Sequence, residues 1–372
     1  MHIAIVSSDD RRIPIMSVAR ELGREHRVTV YSRRNDAERR PKARVAHGVT
    51  VEQIDAGPAK DLGADEVMPY LSDLGGHLAR RWGQDRPDVI HAYSWTCGLA
   101  AVAGAQGLGV PVTQTFSGPR GGSAHHLKLE RALGRRADAV IAGSEDEGAE
   151  LIRLGVPRDH IAVVPYGVDT ERFRRLGVAA AKGSRQRLLH VGSLAPDGGA
   201  HTVVRALAGL PEVELVLAGG PEAEELARDR DACGLRALAE QAGVADRVTV
   251  LGQVARSAVP KLMRGADIVV SLPREAPGGM VALEAMACGV PVIASAVGAH
   301  LDSVVDGVTG LLVPPDRPAQ VARLARELLG DLTTRTALGF AGADRVRSRY
   351  SWERVGQELV RVYQDALISV AR

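Results

Sequence analysis

The sequence predicts an α/β protein built from two successive doubly wound units, each a parallel sheet with helices on both faces. Three observations carry that prediction. Short, wholly apolar runs alternate with helix-length segments, the pattern of strands buried on both faces. The alternation restarts after a polar, arginine-rich stretch, Asp169–Arg187. The 372 residues are long for a single core and ample for two.

In the first half, strands are expected at Ile3–Val6, Val28–Tyr31, Val49–Ile54, Val89–Ala92, Val112–Phe116, Ala139–Ala142 and Ile161–Val164. Helical patterns fall between them, at about Ile13–Arg24, Glu66–Trp82, Trp95–Gln106, Leu127–Arg135 and Glu145–Leu154. The second half repeats the scheme. Strands are expected at Arg187–Val191, Val213–Ala218, Val248–Leu251, Ile268–Ser271, Val292–Ala294 and Leu311–Val313, with helices near Ala200–Ala208, Cys233–Ala242 and Val281–Cys288. The expected domains are residues 1–170 and 185–350, with a final helical segment, 351–372, long enough to leave the second unit and pack elsewhere. In open parallel sheets ligands bind beyond the carboxyl ends of the strands, so two such sheets suggest two ligands facing a cleft.

Composition narrows the function. Lys and Arg number 47 against 45 Asp and Glu, a net charge of +2 that predicts no nucleic-acid partner. The tract Arg33–Arg44 is basic but carries Asp36 and Glu38, and reads as a solvated loop. Cys97, Cys233 and Cys288 are odd in number and far apart, which implies neither a disulfide framework nor a zinc cluster and makes a reducing cytoplasm the default. His125-His126 has no cysteine or carboxylate at ligand spacing. The opening residues do not resemble a signal peptide, and no run of about 18 apolar residues would span a membrane.

Two stretches carry chemistry. His190 to Gly199, HVGSLAPDGG, follows a strand and precedes a helix. Its glycines let backbone N–H groups approach a phosphate, and the helix start adds partial positive charge. The alternative is a tight turn without a ligand. From Gly265 to Pro315, Gly-rich turns and short strands surround a small-residue helix carrying one acid, Glu284, suited to the hydroxyls of a ribose or sugar.

Taken with Pro165 to Asp169, Val191 to Leu194, Leu217 to Gly220 and Asp306 to Pro315, these stretches resemble the retaining glycosyltransferases of family 4. The resemblance implies the GT-B fold, two Rossmann-like domains with a last helix crossing back to the first. It implies a nucleotide-sugar donor on the second domain, an unidentified small-molecule or glycan acceptor on the first, and no metal or other cofactor. By position it assigns nucleotide-sugar contacts to Gly192, Ser193, Gly198, Gly199, Val254, Gly279, Met280, Val281 and Glu284, with Glu284 on the ribose.

The chain departs from the family pattern at charged positions. Ser193 stands where the family has Arg, and Gly198-Gly199 where it has Lys-Gly. The first acid of its Glu-x7-Glu pair falls on Ala276, the first-domain His on Ser117, and the Gly-rich loop after the first strand becomes Ser7–Arg12, without glycine. A cation on a leaving diphosphate contributes about 1.5–3 kcal/mol per charge-assisted hydrogen bond. Deleting one such donor slows other enzymes by about 10²–10³. Weak or atypical transfer is therefore expected unless replacements exist. The candidates are Glu275, adjacent to the vacant acid position, and Ser117 near the sugar, as catalytic-side groups. Arg274, Arg11, Arg12, Arg120, His125 and His201 are further charged or titratable candidates.

Two readings follow. One is a glycosyltransferase that binds a nucleotide-sugar and transfers the glycosyl group with retention. The other is a pseudo-enzyme, partner or scaffold of an active paralogue, or a protein coupling an activated sugar or cyclitol to an atypical acceptor. A dinucleotide-dependent oxidoreductase has little support, since no Gly-x-Gly-x-x-Gly follows the first strand.

Overall fold

The computed structural model describes residues 1–8, 13–116 and 124–370. Contacts divide the chain into two compact units, Met1–Pro165 with Trp352–Arg372, and Tyr166–Ser351. The stretch expected as the seam, 169–187, thus lies inside the second unit.

The first unit holds β1 His2–Ser7, β2 Arg27–Arg33, β3 Lys42–Ala46, β4 Val49–Ile54, β5 Val89–Tyr93, β6 Val112–Thr115, β7 Ala139–Ala142 and β8 Ile161–Val163. They form one sheet in the order β3-β4-β2-β1-β5-β6-β7-β8. The central strand β1 is buried along its whole length, with Ile3 paired to Val28 on one side and Val89 on the other. The second unit holds β9 Gln186–Val191, β10 Val213–Ala218, β11 Val248–Gly252, β12 Ile268–Ser271, β13 Val292–Ser295 and β14 Leu311–Val313, ordered β11-β10-β9-β12-β13-β14. Among the described residues every strand pairing is parallel except β3 with β4. Parallel neighbours need crossovers, and the amphipathic helices between strands supply them.

The tract 33–44, expected as a solvated loop, is strand at both ends: Arg33 closes β2 and is buried, and residues 42–44 belong to β3. β3 is an antiparallel edge strand whose residues are exposed or half-buried. Its Lys42 lies opposite Glu52 and 3.5 Å from its carboxylate. Glu52 is buried and is also met by Arg81 at 2.8 and 3.1 Å and by His77 at 3.2 Å. Burial raises this carboxyl, but hydrogen bonds from Arg81 and His77 outweigh burial and hold it below its ordinary value. An edge strand carrying charge resists pairing with a second chain.

Helices Pro318–Gly330 and Leu332–Arg349, which the sequence reading does not place, cover the second unit. The last helix, Trp352–Val370, belongs to the first. It buries Val355, Leu359 and Tyr363 in the same core as Ile15, Val18 and Leu22 of helix Ile13–Leu22. Each such side chain contributes about 1.5–3 kcal/mol on burial. Tyr363 adds a directional tie, because its hydroxyl lies 2.7 Å from Nδ1 of the buried His91, whose Nε2 is 2.8 Å from the Thr115 hydroxyl. Among the described residues no helix is long and apolar enough to cross a membrane.

Burial pushes the His91 imidazole down to about 3. The folded chain refuses a proton that the unfolded chain accepts below about pH 6.5, so this group destabilises the fold as pH falls through that value, by about 1.4 kcal/mol per unit. Urea unfolding at pH 7 and pH 5 should show the loss. His91→Asn should reduce the pH 7-to-5 drop by about 2 kcal/mol; an unchanged drop removes His91 as its source.

Candidate functional site

At the carboxyl ends of the second unit's strands, the backbone packs too tightly for side chains. Gly192 (φ 144°) directly follows β9 and Gly219 (φ 146°) directly follows β10, and a Cβ on Gly219 would lie 1.9 Å from the Gly192 carbonyl oxygen. A Cβ on Gly199 (φ 89°) would lie 2.1 Å from the Leu272 carbonyl oxygen, and one on Gly198 would lie 2.3 Å from that of Ser193. Glycine is needed here both for backbone angle and for space. Gly199 caps helix Ala200–Leu207, and Gly279 (φ 57°) caps helix Met280–Ala287. Helical bonding starts with the Thr202 N–H on the Gly199 carbonyl at 3.0 Å and the Leu283 N–H on that of Gly279 at 3.2 Å, so the N–H groups ahead of them can serve oxygen atoms of a ligand.

Helix Met280–Ala287 is buried from Ala282 onward, Glu284 included. Glu284 is 1% exposed and its carboxylate is held from both sides by one guanidinium. Arg256 Nη1 donates to Oε2 at 2.8 Å, and Nη2 donates to Oε1. The same guanidinium lies 4.7 Å from the centre of the Phe173 ring. Burial, with Arg172 adding to it and Asp169 opposing, lowers the Arg256 pKa; a guanidinium stays cationic regardless. Sequence reasoning missed Arg256. It lies two residues past Val254 in a polar loop after β11, and nothing local connects it to an acid 28 residues away.

The other expected residues take separate places. Ser193 is exposed, and its hydroxyl accepts the Ala195 N–H at 3.1 Å within its own turn. Val254, Met280 and Val281 are half-buried. Ala276, at the vacant acid position, is buried, and its carbonyl accepts the Ala299 N–H at 2.8 Å. Glu275 beside it is exposed. The Arg274 N–H donates to the Asp197 carbonyl at 2.9 Å, which joins this segment to the turn before Gly198. The Arg274 guanidinium turns instead to Asp316, at 3.0 Å. Buried His190 lies 3.2 Å from the Val270 carbonyl oxygen and 3.4 Å from that of Ser193, bracing the turn from beneath. Burial lowers the pKa of His190 and of His201. His126 sits in the first unit, 2.7 Å from Asp65. Ser117, Arg11, Arg12 and Arg120 lie outside the described residues. No group of three His, Cys, Asp or Glu side chains suited to a metal ion occurs among the described residues.

Comparison with known proteins decides the family. The profile of glycosyl transferases group 1 matches residues 176–345, and that of the glycosyl transferase 4-like domain matches residues 14–167. The chain is 32% identical to a D-inositol 3-phosphate glycosyltransferase of Geodermatophilus obscurus, over 96% of this chain and 85% of that protein. The chain belongs to the family 4 glycosyltransferases. A second relative of the same name, from Acidothermus cellulolyticus, is also 32% identical, over 95% of this glycosyltransferase and 85% of the relative. Its fold is the GT-B fold of the solved structures it matches. Sucrose-phosphate synthase from Thermosynechococcus elongatus superposes with a TM-score of 0.85 at 24% identity, covering 99% of each chain. Anabaena HepE, solved in complex with UDP and glucose, gives 0.75 at 20% identity, over 96% of this chain and 98% of that one.

The strand-end packing generates a stability test. Gly219→Ala should cost roughly 1–3 kcal/mol, because it adds both strain and a backbone collision. Gly234→Ala, in helix Arg230–Gln241 with open space around the site, should be neutral or stabilising by about 0.5–1 kcal/mol. Urea midpoints of the two variants check this, and equal values would refute the tight approach.

Proposed function

We propose that this glycosyltransferase binds a nucleotide-sugar on its second unit and transfers the glycosyl group to an acceptor hydroxyl with retained configuration. The observation that carries the reading is the shell of backbone at Gly192, Gly198, Gly199 and Gly219 beside the glycine-capped helix of Glu284. Such a shell offers N–H donors to phosphate and sugar oxygens where side chains would intrude. Glu284 is the group for the ribose hydroxyls. In the reaction the acceptor oxygen bonds to the anomeric carbon on the face from which the diphosphate leaves. The carbon–oxygen bond to the diphosphate breaks with its electron pair, and the acceptor proton passes to the departing phosphate oxygen. The family resemblance supports transfer without a metal. The names of the relatives make a phosphorylated cyclitol the first acceptor class to test. Among the described residues Cys97, Cys233 and Cys288 form no disulfide with one another, which fits a reducing compartment.

A second reading, a non-catalytic partner of an active paralogue, is favoured by Ser193 and Gly198 at cation positions and by the occupation of Glu284 by Arg256.

The test is incubation with UDP-, GDP-, ADP- and dTDP-sugars and inositol 3-phosphate, with and without EDTA. Expected are release of the nucleoside diphosphate, an anomeric proton coupling in the product matching the donor's configuration, and no effect of EDTA. Absence of binding by any donor at millimolar concentration removes the donor reading. Binding without turnover, joined to copurification with an active transferase, establishes the second.

A further inference from the structure

The Arg256–Glu284 pair poses a problem for any donor, and its solution follows from the charges around it. Both oxygens of Glu284 are occupied, and at 1% exposure no second ligand reaches them while the guanidinium stays. A ribose diol must displace Arg256. The displaced cation then needs a new anion. Within the second unit its charged neighbours are Arg172, which repels it, and Asp169, which is half-exposed and already accepts the backbone N–H groups of Glu171 and Arg172. The donor itself brings the anion. Glu284 lies five residues past Gly279, so at about 1.5 Å per residue its place on the helix is about 7.5 Å from the glycine-capped start. An arginine side chain spans that distance by rotation about its own bonds. Positions 193 and 198 meanwhile supply no cation for a diphosphate.

We propose that Arg256 is a specificity-determining residue of the donor site, which exchanges Glu284 for the diphosphate of the incoming nucleotide while the ribose hydroxyls take its place on Glu284. The proposal rests on the donor reading above. It makes the pocket demand two features in one molecule. A diol without a diphosphate sends the guanidinium, 32% exposed, to water with the loss of a charge-assisted pair, and an anion without a diol leaves the buried carboxylate with no donors. The second cost is the larger, since a buried ion that loses its partner is strongly destabilised.

The experiment is calorimetric titration of the full chain with UDP, GDP and ADP and with uridine, guanosine and adenosine. For the base that binds, the native chain should take the diphosphate at least about 100-fold more tightly than the nucleoside. Arg256→Met keeps a long unbranched side chain at this position and removes the charge. It should weaken the diphosphate by about 10- to 100-fold while the nucleoside binds as well as before or better, and Arg256→Lys should fall between. An equal loss for diphosphate and nucleoside means that Arg256 merely holds the pocket's shape and overturns the proposal, as does an unchanged diphosphate affinity. Thermal melting comes first. If Arg256→Met does not fold, the diphosphate-to-nucleoside ratio is compared between Glu284→Gln and the double variant Glu284→Gln with Arg256→Met, and equal ratios overturn the proposal. A native chain that binds none of the diphosphates removes the donor reading itself, and the exchange with it; a native chain that binds while the variants keep its ratio removes the exchange alone.

Discussion

A carboxylate cannot stay ionised in a dry interior without a partner, and Glu284 is where that constraint bears hardest on this chain. Helix Met280–Ala287 is made of small and apolar side chains so that it can lie against the sheet, and this packing carries Glu284 inward with it. Water is excluded, so a cation must come from another element. Arg256 comes from the loop after β11 and brings the Phe173 ring into contact with its guanidinium. The helix, the loop beyond the edge strand and the entry segment of the unit are thereby joined at one buried charge.

How much of this was legible in the sequence depends on how local the cause was. The bounds of β7 and β12 match the sequence reading to the residue, because parallel strands buried on both faces are short apolar runs with sharp ends; those of β10 and β14 match as well, although Glu214 interrupts the first and the second is a half-buried edge. Glu284 stood out because a single acid in VALEAMAC has no solvent-facing neighbours to explain it. β3 was lost for the opposite reason. KARVA has the composition of a loop, and only its pairing with β4 makes it a strand. Contacts begin the second unit at Tyr166, ahead of the polar and mostly exposed stretch 169–187, in which Phe173 is buried.

The charged positions show a similar division. Ser193 and Gly198 were visible as absences against the family pattern, and the structure gives them local work in the turn before helix Ala200–Leu207. Two arginines accompany the same strand ends from elsewhere, Arg256 on Glu284 and Arg274 on Asp316. No spacing rule connects either to its partner, since such pairs are fixed by which strand ends lie side by side. Glu275 neighbours the vacant acid position in sequence, yet the buried Ala276 carbonyl, bound to the Ala299 N–H, is what anchors that segment.

The terminal helix has a consequence for the order in which the protein is made. Val355, Leu359 and Tyr363 complete a core whose other members leave the ribosome more than 180 residues earlier. The second unit, Tyr166–Ser351, has all its residues before the first one does. During synthesis the part begun first must therefore wait, with an open hydrophobic face beside helix Ile13–Leu22, until the part begun second has emerged.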